Sequence, residues 1–486
     1  MTAVDRNRRF IFVELNEVPL RVAQHFADRH PSSAMSQILA KGVRWDTFTP
    51  DEGHLSPWIT WPTLHRGIAG SKHQLVALGQ DHEDADREYP PVWSLLAGQG
   101  RRVGMFGSLH TYPIPKNTHY YAFYVPDTFA AGPETVPPEL STFQSFNLHM
   151  VDRSGRNVSR DLPVKEGLSF LARSLPAGIR PSTLAKIVRQ LLSERLRRHR
   201  TARRRTIQSV LAFDLFLAQL RSTKPDAAFF FTNHVASSMH RYWPATFTED
   251  YLATKWSDEW VRRFSGEIDY AMAEADAMLR HLIDFAEHNA EYVILVSGSM
   301  GQAAVDSADK QVTTQVLLRD MEKWLDQLGV PGAWQRRRTM EPTYTLAFDE
   351  KSSADAFMEA AAKVRVAGQE LNARRLDEHG VEFVLGQYNI PDERLTLTIG
   401  NHSVAPVEAG LANVPIEDEV GAAAYHVPEG MLLAYDPRGW HGSRVAKGPV
   451  STTRIAPTLL AMQGVKRPDY MEPPLEELLV AELEVA

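Results

Sequence analysis

The sequence contains no cysteine among its 486 residues. Disulfide bonds, thiolate metal sites and cysteine nucleophiles are therefore excluded, and any metal must bind histidine, carboxylate, amide or hydroxyl groups. No apolar run is long enough to span a bilayer, and residues 1–10 are polar and basic, without the apolar segment of a secretory signal. We therefore expect a cytoplasmic protein with no membrane span.

Positive charge is also in deficit. The formal net charge is −7, which argues against a general nucleic-acid-binding protein. Hydrophobic residues make up 43% of the chain and charged residues 23%, which are ordinary values for a globular protein. The length suits one large α/β domain with insertions, or two domains.

Short apolar segments separated by helical patterns indicate a doubly wound α/β fold. Buried strands are predicted at residues 10–13, 102–106, 226–232, 292–297 and 430–434, and helices at residues 92–99, 265–287 and 454–464. Strands that alternate with helices predict a mostly parallel sheet. Polar residues follow several of these strands, at the end of a parallel sheet where ligands bind.

Two stretches interrupt this alternation. Residues 131–205 are first proline-rich and then basic, with seven arginines in residues 195–205. We interpret these arginines as a solvated helix face, with an acidic partner, a nucleic acid or an anionic membrane face as the alternative.

The second interruption, residues 311–415, predicts a small inserted α+β subdomain with strands at 344–348, 383–386 and 395–400 and a helix at 353–366. The predicted core is then formed by residues 1–130, 206–310 and 416–486.

Four segments combine chemically active residue types in an informative order. They are Leu15-Asn16-Glu17-Val18-Pro19, Thr60-Trp61-Pro62 with Arg66-Gly67 and His73, residues 229–243 ending in Met239-His240-Arg241-Tyr242-Trp243, and Tyr425-His426-Val427-Pro428-Glu429-Gly430 with Ala456-Pro457-Thr458-Leu459-Leu460. In order and approximate spacing they resemble the alkaline phosphatase superfamily, in particular its phosphodiesterases and nucleotide pyrophosphatases. The resemblance implies a central, mostly parallel sheet sandwiched by helices, with two inserted cap regions.

The same resemblance implies a site whose usual two metal ions have lost most of their ligands. The family holds two zinc-like ions with aspartates and histidines beside a hydroxyl nucleophile. Thr60, His240 and His426 match that pattern. Asn16, Ala236 and Gly298-Ser299 stand where the family has the three aspartates and another histidine.

We therefore expect no cofactor, or one divalent ion such as zinc bound weakly by His240 and His426. A third ligand would come from one of the nearby candidates Glu14, Glu17, His234 and His402. If no metal binds, the two imidazoles are an acid and base pair for Thr60, or all three are structural residues.

Five further residues are candidates for substrate binding: Asn16, Trp61, Arg66, Asn233 and Ser299. Asn16 is equally suited to capping the turn that follows it, Arg66 to a solvated surface, and Trp61 to the core. An arginine here would supply the positive charge that an anionic substrate requires.

These observations favour a diverged enzyme that acts on a phosphate, sulfate or related ester of a small anionic molecule, by hydrolysis or group transfer, without the usual two-metal centre. Two alternatives stay open. One is a pseudoenzyme that binds a ligand without catalysis, and the other is a hydrolase of the phosphodiesterase type with a single metal ion. Substrate and oligomeric state stay open at this point.

Overall fold

The computed structural model describes residues 8–153, 175–251, 256–305, 312–339, 341–416, 420–439, 444–445 and 448–479. The strands are β1 (Arg9–Leu15), β2 (Val43–Phe48), β3 (Val103–Phe106), β4 (Tyr121–Val125), β5 (Ala227–Thr232), β6 (Tyr292–Ser297), β7 (Gly301–Ala304), β8 (Thr314–Leu318), β9 (Trp334–Arg337), β10 (Thr343–Phe348), β11 (Val364–Val366), β12 (Gln369–Glu370), β13 (Asn372–Arg375), β14 (Gly380–Val384), β15 (Leu397–Ile399), β16 (His402–Val404), β17 (Leu411–Pro415), β18 (Ala424–Val427), β19 (Glu429–Tyr435), β20 (Arg444–Val445) and β21 (Val450–Ser451).

The helices are α1 (Leu20–Arg29), α2 (Ala34–Lys41), α3 (Pro57–Arg66), α4 (Gly70–His73), α5 (Glu83–Glu88), α6 (Val92–Gly98), α7 (Ser141–Arg153), α8 (Pro181–Leu196), α9 (Arg204–Thr223), α10 (His234–Thr246), α11 (Asp258–Phe264), α12 (Glu267–His288), α13 (Met321–Leu328), α14 (Lys351–Ala361) and α15 (Ile455–Met462).

A large, mostly parallel sheet forms the centre of the molecule. Its strand order is β20-β2-β19-β6-β1-β5-β3-β4, with β21 also paired to β2. β1 is parallel to both of its neighbours, β5 and β6, and only β19 runs antiparallel to its neighbours among the described strands. The predicted fold class is confirmed.

Helices cover both faces of this sheet. Ile11, Val13 and Leu15 of β1 pack in an apolar cluster with residues of α1, α2, α9, α10 and α12. Phe10 and Phe12 point to the other face, into a cluster with residues of α3, α6 and α15. A strand buried on both faces needs apolar side chains at every position, which explains the unbroken apolar run of β1.

Most predicted elements of the core agree with the structure to within a few residues. The strand predicted at 292–297 is β6, and the helix predicted at 92–99 is α6, which ends at Gly98. The helix predicted at 353–366 is wrong at its end, because α14 stops at Ala361 and Val364–Val366 forms β11. The alternation of Val364 and Val366 with Arg365 suits a strand paired with β12 and β15 better than another helical turn.

Residues 316–411 enclose an apolar cluster of their own, centred on Trp324, Tyr344, Phe357 and Phe383. Two small antiparallel sheets, β13-β14-β10-β9 and β12-β11-β15-β16, surround it. This part, called the small unit below, touches the large sheet's loops: the guanidinium of Arg338 donates to the carbonyl of Ala130 at 2.6 Å. The domain boundaries themselves stay predictions.

The predicted basic insertion contains α7, α8 and the start of α9, and its residues 154–174 lie outside the described part of the chain. Among the described residues, no helix is both long enough and apolar enough to cross a membrane.

Candidate functional site

The site begins where the central strand β1 ends. Asn16 and Glu17 follow β1 directly, and a turn closed by the amide of Val18 on the carbonyl of Leu15 leads into α1. Glu17 has a φ of 58°, in the left-handed region that favours glycine. Such a conformation costs about 1 kcal/mol or more and persists only where the surroundings enforce it, which is common at functional sites. It leaves the Glu17 side chain buried, 3% exposed.

His240 lies on α10 and is held by the segment that precedes β18. Pro244, four residues later in the helix, has no amide hydrogen, so the carbonyl of His240 is free of its helical partner. The amide of Ala423 donates to this carbonyl at 2.6 Å. The ring Nδ1 of His240 in turn donates to the carbonyl of Ala424 at 2.7 Å. Main chain and side chain of His240 are thus fixed by the same segment.

His426 lies on β18 itself, paired with β7 so that it stands opposite Gln302. Its Nδ1 donates to the carbonyl of Leu55 at 2.8 Å, in the loop that precedes α3. His426 lies on β18, and Ala424, the first residue of the same strand, accepts from His240. One strand therefore positions both imidazoles.

The two imidazoles converge on a single carboxylate oxygen. The Nε2 of His240 lies 2.9 Å and the Nε2 of His426 lies 3.3 Å from the same Oε2 of Glu17. All three groups place a ligand atom within 4.8 Å of the others. His240 is the most accessible member of the cluster, because its side chain is 25% exposed while that of His426 is 8% exposed.

The two Nε2 atoms and the carboxylate of this cluster need positive charge between them, from protons or from a metal ion. A carbonyl oxygen only accepts, so the Nδ1 atoms of both rings carry hydrogen and a neutral ring turns an Nε2 lone pair towards Glu17. Two lone pairs facing a carboxylate repel it unless protons or a metal ion lie between. A histidine that binds a metal ion through Nε2 usually donates from Nδ1 to a backbone carbonyl or a carboxylate, as both rings do here. Two histidines and a glutamate form a known catalytic zinc set, whose ligands lie roughly 3.3 Å apart when tetrahedral bonds are about 2.0 Å long.

The pKa values show how strongly this cluster favours charge. Burial raises the pKa of Glu17, but the charges of His426 and His240 and their hydrogen bonds outweigh it and bring the pKa well below its usual range. Burial lowers the pKa of His426, while the charge and hydrogen bond of Glu17 raise it above its ordinary value. The glutamate is therefore a carboxylate at neutral pH.

Two side chains donate to the carboxylate of Glu17, and two more hold the first of them in place. The amide of Asn16 donates to Oε1 at 2.8 Å and also to the Oδ1 of Asn233 at 2.7 Å. The Nε1 of Trp61 donates to the Oδ1 of Asn16 at 2.7 Å. The amide of Gln302 donates to Oε2 of Glu17 and, at 3.2 Å, to the carbonyl of Ala236. Of the residues predicted to bind substrate, Asn16 here donates to the carboxylate, and Trp61 and Asn233 are bonded to Asn16.

Thr60 lies in the first half of α3, and Trp61 and Pro62 continue the same helix. Pro62 is tolerated inside this helix because the carbonyl that it leaves without a helical partner, that of Trp58, accepts from the ring of His110 at 3.0 Å. Thr60 is fully buried, and its hydroxyl lies 2.8 Å from the hydroxyl of Ser299 and 3.3 Å from the carbonyl of Ser56.

The structure brings His240 and His426 together and places Thr60 beside them. The carbonyls of the neighbouring residues Leu55 and Ser56 accept from His426 and from Thr60 respectively. Glu17, one of the four candidates for a third ligand, lies with its carboxylate within 4.8 Å of both imidazoles.

Gly298 and Ser299, predicted to have replaced metal ligands, are neutral and enclosed. Ser299 is fully buried and bonded to Thr60. At Gly298 a Cβ would lie 2.9 Å from the carbonyl oxygen of Met300. An acidic side chain there would require the backbone to shift.

Arg66 has the contacts of a structural residue. It is 1% exposed and donates to the carboxylate of Asp86 and to the carbonyls of Ala85 and Tyr89 at 2.6–3.2 Å. These bonds hold the α5 segment against α3, and we propose no ligand role for Arg66.

Of the four candidates for a third ligand, only Glu17 reaches the histidines within the described part of the chain. Glu14 is bonded to His65 at 2.9 Å in a buried pair. The ring of His234 lies between the hydroxyl of Thr232 and the carbonyl of Ala271. His402 is exposed on β16 in the small unit.

Sequence reasoning placed Glu17 among four equal candidates and missed Gln302. The signal for Glu17 was its position directly after the central strand, one residue beyond the family's aspartate. Gln302 gave no signal, because its role depends on its register opposite His426.

No family model matches the sequence, and no curated protein matches it. Solved structures do resemble it over nearly its whole length. Murine ectonucleotide pyrophosphatase/phosphodiesterase 5 is 10% identical, with 96% of this chain and 97% of that chain covered and a TM-score of 0.40. An inactive variant of the same murine protein, in complex with AMP, is 11% identical with a TM-score of 0.39, at 96% and 97% coverage.

The wild-type alkaline phosphatase PafA is 13% identical, with 98% of this chain and 100% of that chain covered and a TM-score of 0.48. Solved structures of the alkaline phosphatase superfamily are thus among those that this chain resembles.

Proposed function

We propose that this protein is a hydrolase that works with one divalent metal ion, zinc by its ligand chemistry, held by Glu17, His240 and His426. The observation that carries the proposal is the aim of both Nε2 atoms at one carboxylate oxygen, 2.9 and 3.3 Å away. A single ion satisfies all three donors, whereas the metal-free acid and base pair would need two protons in the same small space. When bound, such an ion supplies positive charge to an ester oxygen and lowers the pKa of a water molecule.

We propose a phosphate, sulfate or related ester of a small anionic molecule as the substrate class. The four sequence segments support this class, and the start of α3 supports an anion beside the metal ligands. The ten-residue helix has no acidic residue in its first turn, so the positive end of its dipole is not neutralised locally. The N-cap residue Ser56 is 2% exposed, and its hydroxyl has no hydrogen-bond partner among the described residues.

In this proposal Thr60 anchors the substrate and does not attack it. Its hydroxyl is buried and shared between Ser299 and the carbonyl of Ser56, and no base lies within hydrogen-bond distance of it among the described side chains. Ser299 fixes the rotamer of Thr60. Ser56 presents its hydroxyl at the start of α3 to the ester's charged oxygens, and Thr60 completes this anchor by donating to the carbonyl of Ser56.

Zinc binding tests the metal part of the proposal. We expect the chelator-treated protein to bind one equivalent of Zn²⁺ in a calorimetric titration and the Glu17→Gln variant to bind far more weakly. Glu14→Gln is the matched control, since Glu14 belongs to the separate pair with His65. Two equivalents in the wild type, or none, would contradict the single-ion site.

Measurements of ester hydrolysis test the proposed substrate class and the role of Thr60. We expect the zinc-loaded protein to hydrolyse members of a panel of nitrophenyl phosphate monoesters, phosphodiesters and sulfates. Thr60→Val should lower kcat/KM about 10- to 100-fold without changing zinc affinity, as loss of an anchoring hydrogen bond does. Complete loss of turnover in this variant, with zinc still bound, would show that Thr60 is the nucleophile.

The burial of Thr60 also favours a second function, a non-catalytic protein that binds an anionic ligand. That function predicts zinc binding with no turnover of any ester in the panel. Protection of the protein against unfolding by the uncleaved esters would then identify the ligand class.

A further inference from the structure

Helix α8 is oriented against the usual pattern of an amphipathic surface helix. Its fully buried positions are polar, Thr183, Gln190 and Glu194, whereas its apolar residues Leu184 and Ile187 are only partly buried against the core. Its exposed positions include three aliphatic residues at i, i+4 and i+8, and these form one stripe along the helix. The stripe consists of Val188, Leu192 and Leu196, which are 56%, 57% and 86% exposed.

Hydrogen bonds hold the polar face inward. The amide of Gln190 donates to Glu194 at 2.8 Å and to the carbonyl of Arg200 at 2.7 Å. The guanidinium of Arg204 donates to the other oxygen of Glu194 at 2.8 Å. Turning the helix to bury the aliphatic stripe would break the bonds to Arg200 and Arg204 and leave the carboxylate of Glu194 without its arginine, so the stripe is fixed on the outside.

Arginines flank the stripe. Arg189 and Arg195 are exposed on the same face of α8, and Arg197 and Arg198 follow it directly. None of these four forms an ion pair with another described residue, whereas Arg203 is paired to Glu267 in the same cluster. The rest of the protein more than offsets this local charge, since the net charge is −7.

We propose that the stripe and its four flanking arginines dock this protein on an anionic membrane surface. A helix with an aliphatic stripe beside arginines lies in the plane of a bilayer, its apolar side chains at the headgroup boundary and its guanidinium groups on lipid phosphates. Arginine suits this role because it binds phosphate in a bidentate manner. A nucleic acid would use the arginines but not the stripe, and a second copy of this chain would bring its own four arginines into repulsion.

Sedimentation of the full-length protein with vesicles tests the proposal. We expect binding to phosphatidylcholine vesicles that contain phosphatidylserine and little binding to pure phosphatidylcholine vesicles. Binding should weaken with salt. The variant Arg195→Ala/Arg197→Ala/Arg198→Ala should bind about 100-fold more weakly, and Leu192→Ser/Leu196→Ser should also lose binding.

Val407→Ser/Arg262→Ala is the matched control. Val407 is 70% exposed and Arg262 is exposed, but both lie outside α8, so this variant should bind like the wild type. Equal binding to both vesicle types, or no binding, would overturn the proposal. So would a dimer in light scattering that the Leu192→Ser/Leu196→Ser variant dissociates, because a second copy would then cover the stripe.

Discussion

At the scale of single residues, the site depends on one strained glutamate. Glu17 keeps a positive φ that favours glycine, and its carboxylate is gripped by Asn16, Gln302 and two imidazoles. The strain and the contacts belong together, since the left-handed backbone brings the side chain back over the end of β1. A residue of this kind is positioned by its partners, and their removal is expected to weaken the site.

Gln302 is the partner whose removal is most informative. We expect Gln302→Leu to weaken Zn²⁺ binding 10- to 100-fold, because Glu17 loses a donor that orients it and second-shell losses have this size. The measurement is a calorimetric zinc titration of the chelator-treated variant.

Gln315→Leu is the control for a general loss of stability. Gln315 is another fully buried glutamine, but it lies on β8, which pairs with β17 and not with the strand that carries His426. An equal loss of zinc affinity in both variants would show that Gln302→Leu acts through a general loss of stability and not through Glu17.

The acid sensitivity of folding should depend on His110. Burial, with the charges of His82 and Arg66, lowers the pKa of His110 to about 3, against about 6.5 in an unfolded chain. Its contribution to stability is therefore complete above pH 6.5 and declines as the pH falls towards 3, because the unfolded state binds the proton first. We expect His110→Gln to flatten the pH dependence of the unfolding free energy by about 1.4 kcal/mol per pH unit between pH 6 and 4.

Urea unfolding of both proteins at several pH values measures this slope. The glutamine keeps a donor for the carbonyl of Trp58, so the fold should be retained. If the unfolding free energies of the wild type and His110→Gln changed equally with pH, the lowered pKa of His110 would be contradicted.

At the scale of elements, two helices of the site contain an internal proline, and each freed carbonyl is used. Pro62 in α3 frees the carbonyl of Trp58 for His110, and Pro244 in α10 frees the carbonyl of His240 for Ala423. The prolines thus provide the helices with attachment points to neighbouring segments. A proline inside a helix usually costs about 3 kcal/mol, and these bonds offset part of that cost.

The N-caps of α2 and α3 should respond differently to the same substitution. The hydroxyl of Ser33 accepts from the amide of Ser36 at 3.0 Å, so Ser33→Ala should lower the unfolding free energy by about 1 kcal/mol. The hydroxyl of Ser56 makes no cap bond and is buried without a partner among the described residues, so Ser56→Ala should leave stability unchanged or raise it.

Urea unfolding measures the change in stability of both variants. Measurements of ester hydrolysis then show which of the two serines affects activity. If Ser56 contacts substrate as proposed, Ser56→Ala should lower kcat/KM while Ser33→Ala leaves it intact. A loss of stability in Ser56→Ala would mean that this hydroxyl has a structural partner.

At the scale of the whole molecule, the small unit has a core separate from the two cores of the large sheet. Phe357 is fully buried in this core. We expect Phe357→Ala to destabilise the small unit by about 3–5 kcal/mol and to leave the large sheet largely protected, because the units share few contacts.

Hydrogen exchange by mass spectrometry tests this division. Amides of β10 and β14 should exchange faster in Phe357→Ala, while those of β1 and β6 should not. Phe229→Ala, in the core beside β1, should produce the reverse pattern. A uniform increase over the whole chain would show that the protein unfolds as one cooperative unit.

The sequence by itself determined the sheet, because apolar strands are local patterns that folding preserves, and its motifs singled out His240 and His426 as candidates. It did not determine the third member of the proposed metal site. Glu17 looked equivalent to Glu14 along the chain, and only the turn after β1 separates them, aiming one carboxylate at the histidines and the other at His65. Gln302 and the exposed stripe of α8 were also decided in three dimensions, since strand register and hydrogen bonds between distant residues choose which side chains meet and which face is buried.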